Sequence, residues 1–155
     1  MHYALHEKWL SEKLKFKNGL AKAYNNIGAV YADQDIYPEA IKNFSASLKI
    51  KEEMGNKSGM ADCYNNIGVI YYEQGNYTMG LKNYLTALKL QEEIGDKAGL
   101  AFAYNNLGSL HDRQGNYTAE LKDPFISWKI KQTIGDEWGI SLTDSKRCNV
   151  YFGRF

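Results

Sequence analysis

Tyr24-Asn25-Asn26-Ile27-Gly28 returns as Tyr64-Asn65-Asn66-Ile67-Gly68 and again as Tyr104-Asn105-Asn106-Leu107-Gly108, each copy 40 residues after the last. A pentapeptide held at one period marks a repeat array, in which a short unit stacks on its neighbours and the working surface is built from the same position of successive units. The register extends well beyond the pentapeptide. Gly19/Gly59/Gly99, Gln34/Gln74/Gln114, Tyr37/Tyr77/Tyr117, Lys42/Lys82/Lys122 and Lys49/Lys89/Lys129 keep the same period, and 17 of 40 positions are identical between Gly55–Ile94 and Gly95–Ile134.

Within one unit, Leu100, Tyr104, Leu107, Gly108 and His111 fall at helical spacing, Gln114-Gly115-Asn116-Tyr117 interrupts, and Leu121, Phe125, Trp128 and Ile134 resume it. Two helices joined by a tight turn follow from that pattern. In the middle unit the first is expected from Lys57 to Gln74 and the second from Tyr77 to Ile94, closed by Gly95 as a left-handed cap. Pro38 suits the first turn of the second helix of unit one. The expected organisation is a single array: residues 1–16 in phase with a second helix that lacks its first, repeats over 17–56, 57–96 and 97–136, and a partial fourth repeat or cap over 137–155. Glu120 stands where the other units have Ala40 and Gly80. Pro124 replaces Phe44 and Tyr84 and is expected to kink its helix near Asp123. At the end of the chain Asp144-Ser145-Lys146-Arg147-Cys148 replaces the pentapeptide, a change that would solvate a terminal unit.

The bulk composition narrows the function classes. With 44% apolar and 14% aromatic residues the 155-residue chain has the make-up of a folded protein, and its formal charge of +1 lacks the basic excess of a nucleic-acid binder. No apolar run is long enough to span a bilayer, and Met1-His2-Tyr3-Ala4 begins no signal peptide, so a cytoplasmic location is expected. Cys63 and Cys148 have no metal-ligand spacing and read as free thiols. His2 and His6 stand four apart but have no third ligand. With no phosphate-binding glycine loop and no nucleophile–base pair, neither an enzyme nor a cofactor is expected.

Tyr-Asn-Asn-Ile-Gly, Tyr31 or Tyr71, Gln-Gly-Asn-Tyr, the small residue at Ala40 or Gly80, Phe44 or Tyr84, and Ser47 or Ala87 together resemble the tetratricopeptide repeat. The period exceeds the usual one of 34 by six residues, which is similar to the extended form of kinesin light chains, spindle-orientation scaffolds and bacterial signalling arrays. The resemblance implies an all-α, right-handed α-solenoid of antiparallel helix hairpins acting as a protein-interaction scaffold. As an alternative, it implies a regulatory or sensory segment of a larger bacterial signalling protein.

In the resembled family, ligands lie along a concave face built from the first helices. The corresponding positions here are Lys22, Asn25, Ala29, Ala32 and Asp33, then Asp62, Asn65, Val69, Tyr72 and Glu73, then Phe102, Asn105, Ser109, Asp112 and Arg113. Only the asparagines repeat unchanged. A primary amide donates and accepts at once, so a ladder of Asn25, Asn65 and Asn105 could hold the backbone of an extended partner peptide. Val69, Tyr72 and Phe102 would set side-chain preference, and Asp33, Asp62 and Glu73 favour a neutral or basic peptide. The competing structural reading is that Asn25/Asn26, Asn65/Asn66 and Asn105/Asn106 bridge neighbouring helices, since buried polar groups are usually paired internally. These positions hold mainly asparagine, alanine and acidic residues in place of the lysine and arginine that clamp a terminal carboxylate in that family, so that ligand type is not expected. The lysine ridge at 42, 49, 82, 89, 122 and 129 reads as a solvated outer face. A second expectation is self-association, because Leu5, Leu10 and Leu14, with Trp9 nearby, would be exposed on an unpaired end helix.

Overall fold

The computed structural model describes residues 2–113, with the side chains of 13–110 and of Arg113. Five helices occur among the described residues: α1 His2–Asp33, α2 Tyr37–Glu53, α3 Lys57–Glu73, α4 Tyr77–Ile94 and α5 Lys97–Arg113. The expected kink at Pro124 and the terminal unit over 137–155 lie outside the described residues. Consecutive helices pack as hairpins, α1 on α2 and α3 on α4, while α2 meets α3 and α4 meets α5 to join one hairpin to the next. The architecture is an all-α helical-repeat solenoid, and α3 also touches α5 directly, which lines the first helices up on one side.

The turns show why the helices stop where they do. Asn56 and Asn76 cap α3 and α4 by accepting from Gly59 N at 2.9 Å and Met79 N at 3.2 Å, and Asp96 caps α5 by accepting from Gly99 N at 3.0 Å. Before each cap the chain reverses through a left-handed glycine: Gly55 at φ 64°, Gly75 at 73° and Gly95 at 68°. The Lys57–Gln74 expectation holds to one residue, and Tyr77–Ile94 holds at both ends.

Unit one departs from this punctuation twice. Asp35 takes the place of the turn glycine at φ 59°, and Ile36 takes the place of the capping asparagine and offers no side-chain hydrogen bond. The other departure corrects the sequence reading of residues 1–16. No break separates them from the first helix of unit one, because α1 runs unbroken for 32 residues. The reason is local. Lys15-Phe16 stand where the later units have Gly55-Asn56 and Gly95-Asp96, so the chain meets neither a left-handed residue nor a cap.

The core explains the repeated glycine. A Cβ built on Gly68 would lie 2.6 Å from Tyr84 Cε1, and one on Gly28 would lie 2.9 Å from the Phe44 ring, so the first helix is bare where the aromatic of the second crosses it. The small residues Ala40 and Gly80 are fully buried beside these contacts, and a Cβ on Gly80 would lie 3.4 Å from Gly68 O. Gly80 thus approaches the α3 backbone at Gly68, but the nearest neighbour of Gly68 is the Tyr84 ring. Phe44 with Ile67 and Ile70 joins α2 to α3, and Tyr84 with Leu107 and Leu110 repeats the arrangement between α4 and α5. Ser47 Oγ donates to Ala21 O at 2.7 Å inside the first hairpin. At the rims, Lys17–Glu53 at 2.7 Å and Lys57–Glu93 at 2.9 Å recur at the repeat spacing, and hydrogen bonding to each lysine lowers the glutamate pKa. Both pairs are solvent-exposed and therefore contribute little to stability.

Candidate functional site

Between successive first helices the stack leaves two hollows that are repeat equivalents of each other. The first, about 260 Å³, is lined by Lys22, Asn25, Asn26, Lys51, Asn56, Ser58, Gly59 and Asp62, with Asn18 at one edge. The second, about 460 Å³, is lined by Asp62, Asn65, Asn66, Gln91, Asp96, Ala98, Gly99 and Phe102, with Asn25 reaching in from α1. Moving forward by one repeat replaces Lys22 by Asp62, Lys51 by Gln91, Asn56 by Asp96 and Asp62 by Phe102.

Those replacements invert the electrostatics. In the first hollow the Lys51 side chain is buried over Gly59 and its Nζ donates to Gly59 O at 3.1 Å. In the second, Gln91 occupies the same place over Gly99, buried to 2% exposure, and its Oε1 has no hydrogen-bond partner among the described residues. Asn65, 3% exposed on α3, likewise has an unpartnered Oδ1. Asp62 lies between the two hollows. Loss of hydration raises its pKa, the Lys51 ammonium on one side lowers it, and the Asp96 carboxylate on the other raises it.

The sequence-predicted residues divide into groups. Asn25, Asp62, Asn65 and Phe102 come together at the second hollow. Tyr72 and Arg113 form a separate contact toward the other end of the first helices, where Arg113 Nε donates to Tyr72 Oη at 3.1 Å. Val69 packs against the Tyr84–Leu107–Leu110 cluster, Asp33 and Glu73 are exposed, and Asn105 is half-buried away from both hollows. The ladder is not uniform. Asn25 Oδ1 accepts from Asn66 Nδ2 at 3.2 Å, which makes a bridge from α1 to α3 of the kind the structural reading anticipated.

Sequence reasoning missed Gln91 and Asp96. The signal was present as a break in the period, since positions 51, 91 and 131 read Lys, Gln, Lys, and positions 56 and 96 read Asn, Asp. Among the described residues no group of three or more metal-binding side chains occurs, and no helix is long and apolar enough to cross a membrane.

Stacked hairpins of this design, with a recessed surface along their first helices, define a helical-repeat scaffold, and sequence comparison supplies the family. The tetratricopeptide repeat model matches residues 19–78 and 59–122, more than half of the chain, which therefore belongs to the tetratricopeptide repeat family. Solved structures that share the fold include the two that follow. BtubC (BKLC) from P. vanneervenii aligns with a TM-score of 0.67 and 22% identity over 74% of this chain, which spans 46% of the BtubC chain. The N-terminal domain of stress-induced protein-1 (STI-1) from C. elegans aligns with a TM-score of 0.67 and 15% identity, covering 86% of this chain and 94% of that one. No curated protein matches the sequence. Domains of this family generally mediate protein–protein interaction.

Proposed function

We propose that the chain is an interaction scaffold that holds an extended segment of a partner protein along the first helices, with Asn65 as the central contact. The observation that carries this reading is the Asn65 amide, almost wholly buried at the second hollow with its carbonyl oxygen unpartnered. A buried acceptor left unmet costs about 1–3 kcal/mol, and a passing backbone N–H would recover that cost. Asn25 and Asn105 sit one repeat to either side and extend the same track. Peptides from a partner-derived library are expected to bind the wild-type chain and to lose binding with Asn65→Ala plus Asn105→Ala, while the helical melt stays within a few degrees. Unchanged affinity in the double variant would sink the reading.

A second reading, self-association, is favoured by one uncovered face. Phe16, Leu20, Ile27 and Val30 are 72%, 38%, 45% and 55% exposed, whereas Ile67 and Leu107, the repeat counterparts of Ile27, and Ile70 and Leu110, those of Val30, are buried against the preceding hairpin. With Ala23, these residues occupy an arc of about 80° at 100° per residue. Sedimentation velocity over a wide concentration range is expected to show a defined dimer, and a strict monomer at high concentration would rule this out.

A further inference from the structure

We infer that the second hollow is a receptor for a guanidinium group, the side chain of an arginine carried by the peptide that lies along the first helices. The inference rests on the groove reading and deepens it.

The internal comparison between the two hollows carries the argument. The fold fills the first with its own cation: the Lys51 stem crosses Gly59 and its ammonium donates to the Gly59 carbonyl. The equivalent space one repeat on has the same floor glycine, but a shorter, neutral Gln91 stands where that cation would be. Its walls have changed in the opposite sense, with Asp62 replacing Lys22 and Asp96 replacing Asn56, and among the described residues no lysine or arginine lines it. The floor holds two almost fully buried acceptors without donors, Asn65 Oδ1 and Gln91 Oε1. Two carboxylates and two unmet acceptors ask for a ligand that is cationic and rich in N–H groups.

Geometry favours guanidinium over ammonium. Phe102, 52% exposed, supplies an aromatic face at the rim of the same hollow. A planar cation can stack on that ring while directing its five N–H donors toward several acceptors, whereas an ammonium presents three donors on a point charge. Asp96 stays available for this task, because its cap to Gly99 N uses Oδ1 and leaves Oδ2 as a second acceptor.

The test is calorimetric titration of the full chain with three capped peptides, identical extended Gly/Ser backbones carrying a central arginine, citrulline or lysine. The arginine peptide is expected to bind about tenfold or more tightly than its citrulline isostere, in keeping with the greater strength of charge-assisted hydrogen bonds, with lysine between them. Gln91→Lys installs the cation that unit one already carries at Lys51. It is expected to fold normally and to erase the arginine preference, and Asp62→Asn is expected to weaken it. Equal binding of all three peptides, lost together in the Asn65→Ala, Asn105→Ala chain, would overturn the guanidinium site and leave the groove reading standing. Binding of none of them would overturn both. An arginine preference that survives unchanged in Gln91→Lys would place its origin outside this hollow and overturn the assignment.

Discussion

Gly68 and Asp62 show how much a single position controls here. A methyl group at Gly68 would be pressed into the Tyr84 ring at 2.6 Å, and Tyr84 is itself buried, so the ring has little room to retreat. Gly68→Ala is expected to lower stability by about 2 kcal/mol, within the usual cost of overpacking, as read by urea unfolding. Asp62 makes a test with a definite sign. Its pKa is raised in the fold, first by desolvation, so the folded state binds its proton more readily than the unfolded state does. That places a penalty on the fold above the raised pKa, which fades as the pH falls through it. Asp62→Asn is therefore expected to melt higher than wild type at neutral pH, and the difference should shrink in acid. The glycine was legible from its repetition at three positions. Gln91 was not, because a search for what repeats passes over the position where the repeat fails. Its importance shows only when the hollow places it beside Asp62 and Asp96.

Helix boundaries follow a two-residue punctuation, and the sequence is readable wherever that punctuation is present. Gly55-Asn56, Gly75-Asn76 and Gly95-Asp96 each combine a left-handed residue with a capping side chain, and the helix ends expected beside them fall within a residue of those observed. Residues 1–16 carry the phase of a second helix without its punctuation. Lys15-Phe16 supplies neither element, and α1 continues through. The weak point of the array lies at the turn into α2. There Ile36 provides no cap, and Asp35 adopts φ 59° while accepting a hydrogen bond from Tyr37 Oη at 2.9 Å. That bond is the main reason the Tyr37 pKa is raised. Ile36→Asn restores the residue found at position 76 and is expected to stabilise the chain by about 1 kcal/mol, the typical worth of an N-cap, measurable as a higher thermal midpoint.

Across the described stack, the preceding hairpin buries Ile67 and Ile70 of α3 and Leu107 and Leu110 of α5, whereas Phe16, Leu20, Ile27 and Val30 of α1 are exposed. Repetition made the solenoid legible from the pentapeptide alone. The uncovered stripe was not legible in the sequence: the expected exposed residues were Leu5, Leu10 and Leu14 with Trp9 nearby, of which only Leu14 has a described side chain, 43% exposed, while Leu20, Ile27 and Val30 fall in a helix expected to begin at residue 17. If the stripe pairs two copies, Ile27→Glu with Val30→Glu places four charges in that interface and is expected to give a monomer by sedimentation velocity, with helical content unchanged by circular dichroism. A dimer that persists in the double variant would move the contact elsewhere. The track along the first helices is the other surface, and amide-resolved NMR titration with the capped arginine peptide tests it most directly. Shifts are expected to concentrate on the side-chain amides of Asn65 and Gln91 and on the backbone of Gly99 and Phe102. Shifts confined to the outer lysine ridge of α2 and α4, or to the α1 stripe, would contradict it.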